Sequence, residues 1–301
     1  MRSTGPERAA AAVWEVVPPA RASRVSGVSM AGFRDRGTPS AGQRAVPHPG
    51  VTIALECGAG PLVVTDGTGR ERRGSLVAGL GFGPGAVWVR GGSFEAVQVR
   101  LSPVVAGAVL GVSPAELDGA VVALDDLWGR EASRLRERLG DAASWEERFG
   151  LTEAVLARRR QVGASVDPEV AWAWRRIVVT RGMVRVDRLA AEVGWSRRRL
   201  WSRFQSQLGL PPKRAARLVR FDHAAHRLAA GDGVARVAAE SGYADQSHLH
   251  RDVVAFTGVT PVALAREPWL AVDDIAWPGQ GRRPEPAQVG GRPDPTACRG
   301  W

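Results

Sequence analysis

The feature that most constrains this chain is a pattern that occurs twice: a short helix, a glycine-centred turn and a second, amphipathic helix. The two copies cover residues 187–208 and 234–256. Gly194 and Gly242 are predicted to end the short helices, because glycine tolerates the left-handed backbone that a tight turn needs. Ser196 and Asp245 have side chains suited to cap the helices that follow. Each copy therefore predicts a helix-turn-helix unit.

Each second helix is predicted to bury one face and to expose the other. Apolar residues recur at spacings of three and four, which places them on one side of a helix. They are Leu200, Phe204 and Leu208 in the first unit and Leu249, Val253 and Phe256 in the second. Asp187 is expected to cap the first short helix, while Pro211-Pro212 and Thr260-Pro261 are expected to start two further helices. The C-terminal region is therefore predicted to be all-α.

The formal net charge of +10 is concentrated in the same region. Residues 169–268 carry 17 basic and 9 acidic side chains, whereas the rest of the chain is close to neutral. An excess of arginine in one region is typical of a protein whose partner is a polyanion. A generic helical bundle with an arginine-coated surface is the alternative, but it does not account for two helix-turn-helix patterns in tandem.

The N-terminal half has a different periodicity. Between Val51 and Leu101, apolar and polar residues alternate, and glycine-rich turns separate the alternating runs. We interpret this pattern as an antiparallel β sandwich or barrel. After Pro103 the period becomes helical, and helices are predicted over residues 131–139 and 144–160. The predicted fold class is α+β, with a β-rich N-terminal domain that also contains helices and an all-α tandem helix-turn-helix domain.

The predicted organisation has four parts. They are a flexible N-terminus (1–24) in which residues 13–17 could form a short strand, a β-rich sensing or dimerisation domain with helices at its C-terminal end (25–165), a DNA-binding domain (168–268) and a disordered tail (269–301). Asp167-Pro168 is expected to cap the first helix of the DNA-binding domain. The low apolar content of the last ~30 residues predicts that they do not pack.

The sequence offers little for catalysis or for metal binding. Cys57 and Cys298 form no CxxC pair, and neither has a histidine close in sequence. His48 is the only histidine before His223, and the pair His223 and His226 lacks the further ligands of a structural metal site. No apolar run approaches the ~18–20 residues of a membrane span. We therefore expect a cytoplasmic, nucleoid-associated protein that is not an enzyme and needs no metal or cofactor.

Six short motifs in the basic region match those of a known family. They are Leu189-Ala190-x-x-Val193-Gly194-Trp195-Ser196, Leu200-x-x-Arg203-Phe204, Gly209-Leu210-Pro211-Pro212-Lys213, Arg220-Phe221, Val237-Ala238-x-x-Ser241-Gly242-Tyr243-x-Asp245-Gln246-Ser247-His248-Leu249-x-Arg251 and Thr257-Gly258-Val259-Thr260-Pro261. Through them, residues 175–268 resemble the DNA-binding domain of the AraC/XylS transcriptional regulators. Val253 and Val254 depart from the family pattern of Phe followed by Lys or Arg. More loosely, residues 45–160 resemble the non-catalytic N-terminal domain of an actinobacterial subgroup of these regulators.

The resemblance implies two recognition helices in successive major grooves of promoter DNA. The residues implied to contact base edges are Arg198, Trp201, Ser202, Gln246, Ser247, His248, His250 and Arg251. Those suited to phosphate contacts are Arg197, Arg199, Lys213 and Arg217. Arginine can bond guanine with two hydrogen bonds, and glutamine can bond adenine. Trp201 has two possible roles at this point: its ring can contact a thymine methyl group, or it can pack within the protein.

Together these observations predict a sequence-specific transcriptional regulator that binds double-stranded promoter DNA. RNA polymerase, a small-molecule effector and a second copy of the chain are the further candidate partners, and no membrane is expected. Two alternatives are open at this point. A DNA-targeted enzyme of the repair alkyltransferase type needs an activated cysteine. An architectural protein binds DNA without sequence preference.

Overall fold

The computed structural model describes residues 14–35, 42–58, 60–82, 87–117 and 119–277. The strands in these ranges are β1 (Trp14–Val17), β2 (Val28–Asp35), β3 (Gln43–Ala45), β4 (Val51–Glu56), β5 (Val63–Thr65), β6 (Glu71–Arg73), β7 (Leu76–Ala78), β8 (Val87–Arg90), β9 (Glu95–Leu101) and β10 (Val121–Ala123).

The α-helices in the same ranges are α1 (Pro103–Leu110), α2 (Pro114–Leu117), α3 (Leu124–Trp128), α4 (Arg130–Asp141), α5 (Trp145–Val162), α6 (Pro168–Val179), α7 (Val186–Glu192), α8 (Arg197–Leu208), α9 (Pro212–Ala229), α10 (Val234–Glu240), α11 (Gln246–Thr257), α12 (Pro261–Leu264) and α13 (Pro268–Ala276). None of these helices is long and apolar enough to cross a lipid bilayer.

The strands form two antiparallel sheets. Six strands hydrogen-bond in the order β1-β2-β9-β4-β7-β10, and four in the order β3-β8-β5-β6. In the larger sheet β9 pairs with β2 on one side and with β4 on the other, so Val99 lies opposite both Met30 and Ile53. This arrangement confirms the antiparallel N-terminal region that the alternating pattern predicts.

The two faces of the larger sheet have different neighbours, because side chains alternate along each strand. On one face, Val97 and Val99 are fully buried where helices α1 and α4 contact β9 and β4. On the other face, Ala96 and Gln98 lie opposite residues of the smaller sheet, such as Val64. The N-terminal region thus has three layers, with the larger sheet in the middle.

Helices α6 to α12 form the predicted all-α region around α9. The apolar stripe of α9, which includes Leu218, Phe221 and Ala225, is fully buried. Helix α9 contacts α6, α8, α10, α11 and α12. Because both helix-turn-helix units pack on this one helix, it sets their relative placement.

The structure corrects the predicted disordered tail. Helix α13 forms at its start, and Trp269, Leu270 and Val272 are buried. Helix α13 contacts α9 as well as strands β1, β2 and β3. The prediction was wrong here because the low apolar content of residues 269–301 as a whole hides the apolar residues at their beginning. Residues 278–301 lie outside the described residues.

Within the N-terminal segment, the structure forms the short strand that residues 13–17 suggest. Residues 1–13 lie outside the described residues, but β1 pairs with β2 along its whole length, from Trp14 opposite Asp35 to Val17 opposite Gly32. Trp14 is buried. Strand β1 therefore forms the edge of the larger sheet.

Two predicted helix caps have other partners. Helix α7 begins at Val186, so Asp187 lies inside its first turn and accepts a hydrogen bond from Arg197 at 3.0 Å. Asp167 precedes helix α6 but makes no side-chain cap. Its carboxylate instead accepts two hydrogen bonds from the guanidinium of Arg203, at 2.8 and 2.9 Å. In both places a tertiary contact with arginine replaces the local cap.

Candidate nucleic-acid interface

Helices α7 and α8 form the first helix-turn-helix unit. Gly194 has φ +70° in the turn, and the backbone N–H of Trp195 donates to the carbonyl of Ala190 at 3.0 Å. Ser196 then caps α8, its hydroxyl accepting from the N–H of Arg199 at 3.2 Å. The inner residues, Leu189, Leu200, Phe204 and Leu208, are fully buried. The local pattern therefore folds as predicted.

Helices α10 and α11 form the second unit with the same construction. Gly242 has φ +74°, and the N–H of Tyr243 donates to the carbonyl of Ala238 at 3.1 Å. Asp245 caps α11, its carboxylate accepting from the N–H of His248 at 2.7 Å. The second turn is one residue longer, because its cap follows the glycine by three residues instead of two. The two units are otherwise equivalent, so α8 and α11 occupy corresponding positions and are the two candidate recognition helices.

The outer face of α8 brings its predicted base-contact residues together. Arg198, Trp201 and Ser202 are all exposed. Trp201 keeps 50% of its surface accessible, which favours a contact outside the protein over packing within it. A half-exposed indole offers a flat apolar surface that a thymine methyl can contact.

The outer face of α11 exposes most of its predicted base-contact residues. Gln246, Ser247, His250 and Arg251 are exposed and border a shallow groove that continues to α12. His248 differs because its ring lies edge-on to Tyr243, with ring centroids 5.2 Å apart. Its Nδ1 also accepts from the backbone N–H of Ala244 at 3.4 Å. This geometry gives His248 a role in holding the turn.

The residues predicted to contact phosphate differ in their surroundings. Lys213 is exposed near the start of α9. The guanidinium of Arg199 lies over the ring of Trp195, 4.4 Å from its centroid. Arg217 donates to the buried carboxylate of Asp252 at 2.7 Å. Lys213 therefore has no ion-pair partner among the described residues, whereas Arg217 already neutralises a buried charge.

Sequence reasoning missed a contact that holds the second turn. Arg220, on α9, donates to the carbonyl of Gly242 at 3.1 Å, and its guanidinium lies over the ring of Tyr243. Nothing in the local pattern of either segment links them, although Arg220 belongs to a quoted motif. The contact fixes the second unit to the helix that both units share.

Four charged residues join the C-terminal region to the larger sheet, and we call them the buried charge cluster: Arg100, Asp222, His226 and Asp273. Arg100, on β9, donates to both carboxylate oxygens of Asp273, on α13. His226, on α9, has its Nε2 3.2 Å from the same carboxylate. The cluster therefore connects one strand and two helices that are far apart in sequence.

Burial and mutual charge set the protonation of this cluster. Burial raises the pKa of Asp222 to about 6. Burial alone would lower the pKa of His226, but the carboxylates of Asp222 and Asp273 outweigh it and raise this pKa to about 10. Burial would raise the pKa of Asp273, but Arg100 outweighs it and holds this pKa well below its usual range. The imidazolium of His226 thus stays protonated near neutral pH.

The residues considered for catalysis or metal binding have structural surroundings. Cys57 is buried, and burial raises the pKa of its thiol to about 11, which opposes the thiolate that a nucleophile needs. His223 lies 3.3 Å from a guanidinium nitrogen of Arg181. Burial, with the nearby Arg181 charge, lowers the pKa of His223 to about 4. Within the described ranges, no group of three or more potential ligands is placed to hold a metal ion. Cys298 lies outside those ranges.

Comparisons with known proteins support this reading of the C-terminal region. A family model described as a helix-turn-helix domain matches residues 189–267, which include both turns and both recognition helices. No curated protein matches the chain.

Several solved structures align with much of this chain at low sequence identity. ToxT from Vibrio cholerae O395 shows 10% sequence identity and a TM-score of 0.44, over 80% of this chain and 98% of that chain. ToxT from Vibrio cholerae strain SCE256 with a bound unsaturated fatty acid shows 10% identity and a TM-score of 0.42, over 89% and 98%. The AraC-like transcriptional activator CuxR shows 14% identity and a TM-score of 0.30, over 66% and 83%.

Two equivalent units with exposed polar faces, together with the matching domain family, define a DNA-binding protein with tandem helix-turn-helix units. The chain is a DNA-binding transcription regulator, and its C-terminal region is a helix-turn-helix domain. The narrower resemblance of residues 45–160 to one actinobacterial subgroup stays a prediction.

Proposed function

We propose that the chain regulates transcription by placing α8 and α11 in successive major grooves on one face of promoter DNA. The observation that carries this proposal is the placement of two equivalent recognition helices on a single helix, α9, with their polar faces exposed. A major groove about 12 Å wide admits an α-helix. Successive grooves on one face of DNA lie about 34 Å apart, so one rigid connection can serve both helices.

Within this proposal, the exposed residues of the two helices read base edges. Arg198 and Arg251 suit guanine, and Gln246 suits adenine. Trp201, Ser202, Ser247 and His250 lie on the same exposed faces. His248 supports the turn beside them. Lys213 contacts the phosphate backbone, together with Arg197, Arg199 and Arg217. A guanidinium has five N–H donors, so the contacts of Arg197 with Asp187 and of Arg217 with Asp252 leave other donors for phosphate.

The decisive experiment is a selection of bound duplexes from random DNA with the full-length protein at physiological salt. We expect a motif with two short blocks about 10 base pairs apart, because each recognition helix reads one groove. Binding with no recovered motif, lost steeply as salt increases, would instead support an architectural protein.

A salt titration tests the phosphate contacts separately. Lys213→Ala should reduce the slope of log affinity against log salt by about one unit, because one phosphate contact is lost. Arg136→Ala removes an exposed positive charge from α4, outside the DNA-binding domain, and serves as the matched control. An unchanged slope for Lys213→Ala would remove this residue from the interface.

We further infer that the chain acts by binding and not by catalysis. The buried thiol of Cys57, with its raised pKa, disfavours the alkyltransferase alternative. Recruitment or blocking of RNA polymerase is then the regulated step. The two-sheet N-terminal region supplies the effector site or the contact with a second copy of the chain. Sedimentation of the full-length protein, free and with its selected DNA, tests the proposed homodimer.

A further inference from the structure

We propose that Asp252 is a positioning residue for DNA reading. Its ion pair with Arg217 sets the rotation of the second recognition helix, α11, on helix α9, and so directs the neighbouring Arg251 towards base edges. This inference rests on the proposed function, because it concerns how one of the two recognition helices is aimed.

The ion pair joins α9 to α11 inside the second unit. Nη2 of Arg217 donates to Oδ1 of Asp252 at 2.7 Å. The side chain of Asp252 keeps only 4% of its surface accessible, and Arg217 is its one ion-pair partner among the described residues. A buried carboxylate is costly without a cation, so this pair has to form when α11 packs on α9.

Two phenylalanines continue the contact between α9 and α11 by one helical turn. Phe221 follows Arg217 by four residues on α9, and Phe256 is likewise four residues from the carboxylate on α11. The two rings have centroids 4.8 Å apart, and the guanidinium of Arg217 lies 5.8 Å from the ring centroid of Phe256. Residues four apart share one face of a helix, so these contacts define a single line along which the two helices meet.

The placement of Asp252 decides where Arg251 points. The two residues are adjacent in α11, and Asp252 is buried whereas Arg251 is exposed. Neighbouring residues of an α-helix project about 100° apart. A rotation that brought Arg251 into the place of Asp252 would put two guanidinium groups together, which like-charge repulsion disfavours. The ion pair therefore selects the rotation in which Arg251 faces outwards.

The first unit has an ion pair at the corresponding position, with the charges reversed. Arg203 lies three residues after Leu200, the first buried leucine of α8. Asp252 lies three residues after Leu249, the first buried leucine of α11. Arg203 pairs with Asp167, and half of the Arg203 side chain is exposed. Both recognition helices are thus tied at the same place, and the second is tied through a buried carboxylate.

A buried ion pair adds unique placement more than it adds stability. Removing two charges from water costs about as much as their attraction returns, and apolar side chains of similar size often stabilise a fold equally well. The charged pair, however, is satisfied in only one arrangement of the two helices. We therefore expect it to matter more for the direction of α11 than for the stability of the fold.

Asp252→Asn tests the role of the charge, because asparagine keeps an oxygen that accepts a hydrogen bond from Arg217. The preference for the selected block read by α11 over a scrambled block should fall about tenfold, and the preference for the α8 block should not change. The α11 block is the one whose preference relaxes in Arg251→Ala. Affinity for DNA with both blocks scrambled should not fall, because the phosphate contacts are retained. Fluorescence anisotropy with singly and doubly scrambled duplexes measures all three quantities.

Asp126→Asn is the matched control, because it removes one negative charge from an exposed position on α3, outside the DNA-binding domain. It should keep both block preferences of the wild type. An unchanged α11-block preference in Asp252→Asn would overturn the positioning role. Equal losses on both blocks would also overturn it, since they would report general damage to the fold.

The double change Arg217→Met with Asp252→Leu replaces the ion pair by apolar side chains, and it decides the question even if Asp252→Asn does not fold. Its melting temperature should equal or exceed that of the wild type, because no charge is left buried. Its preference for the α11 block should still fall about tenfold, because apolar side chains accept more than one rotation of α11. A double variant that keeps the preference, or that melts well below the wild type, would overturn the positioning role.

Failure of the proposed function gives a different result. If the wild-type protein recovers no two-block motif from random DNA, the proposed function is wrong and this inference is wrong with it. If the wild type recovers two blocks and both variants keep the two preferences, the proposed function stands and only the positioning role of Asp252 is overturned.

Discussion

Arg198 and Arg251 illustrate how neighbouring side chains decide what an arginine can do. Each is exposed on a recognition helix, and neither forms a salt bridge with a described residue. Arg203 and Arg217, by contrast, bind the carboxylates of Asp167 and Asp252. An unpaired guanidinium keeps all its donors available for the edge of a guanine. The structure therefore favours Arg198 and Arg251 for base contacts.

We expect Arg198→Ala or Arg251→Ala to weaken binding to the selected DNA site by about 1–3 kcal/mol and to relax the preference at one base pair. A fluorescence anisotropy titration against the site and its single-base variants measures both effects. Arg136→Ala, outside the DNA-binding domain, is the control for loss of one positive charge. Equal weakening on every DNA sequence would identify the two arginines as phosphate contacts instead.

At the scale of elements, Gly182 shows why the first unit joins α6 as it does. It lies between α6 and α7 with φ +72°, and a Cβ atom there would lie 2.0 Å from the carbonyl oxygen of Ala216 on α9. Gly194 has a similar φ of +70°, but a Cβ atom there would have no neighbour within 4 Å. An alanine at position 194 would therefore add backbone strain alone, whereas an alanine at position 182 would add both backbone strain and a clash with α9.

Gly194→Ala should lower the free energy of unfolding by about 1–2 kcal/mol, because alanine is strained in the left-handed region. Gly182→Ala should lower it by a further ~1–3 kcal/mol, because α9 must also move away from the new methyl group. Urea unfolding of the two variants under identical conditions gives the comparison. Equal losses would show that the backbone of α9 accommodates the methyl group without cost.

The whole molecule is held together by contacts that cross from the sheets to the helices. The buried charge cluster links β9 to α9 and α13, and Arg44 links β3 to the end of α11. These contacts have partners more than 40 residues apart in sequence. They make the stability of the chain sensitive to the protonation of the cluster.

The folded chain should lose stability as pH rises from about 6.5 towards 10. In this window the folded state retains the proton of His226, whereas the unfolded state, with an ordinary pKa of 6.5, releases it. The raised pKa therefore stabilises the fold fully below pH 6.5, and this contribution decreases by at most about 1.4 kcal/mol per pH unit above it. Chemical unfolding measured between about pH 6.5 and 8 stays below the titration of the Cys57 thiol, whose ordinary pKa of 9.0 applies in the unfolded state and is raised to about 11 in the folded state.

His226→Gln is the test variant for this dependence, because glutamine can hydrogen-bond but does not titrate. Its unfolding free energy should change less with pH than that of the wild type in this window. His250→Gln, at an exposed position on α11, is the matched control and should follow the wild type. A wild-type slope retained in His226→Gln would assign the dependence to another group.

Local patterns predicted much of the secondary structure and of the interface. The predicted caps Ser196 and Asp245 accept the expected backbone hydrogen bonds, and Ser144 accepts one at the start of α5. These features depend on residues within about four positions of one another, so their spacing is visible in the chain. The exposed faces of α8 and α11 were predicted in the same way, from apolar residues at spacings of three and four. Caps at Asp167 and Asp187 failed because distant arginines compete for the same carboxylates.

The sequence alone determined that this chain carries two helix-turn-helix units in a basic, all-α region behind an antiparallel β region. It did so because helix periodicity, glycine turns, caps and strand alternation are local properties. Only the tertiary structure decided that α13 packs against the sheets and that Arg100 pairs with Asp273. The physical reason is that such pairings depend on which surfaces meet after folding, and a single sequence records no distances between its distant parts.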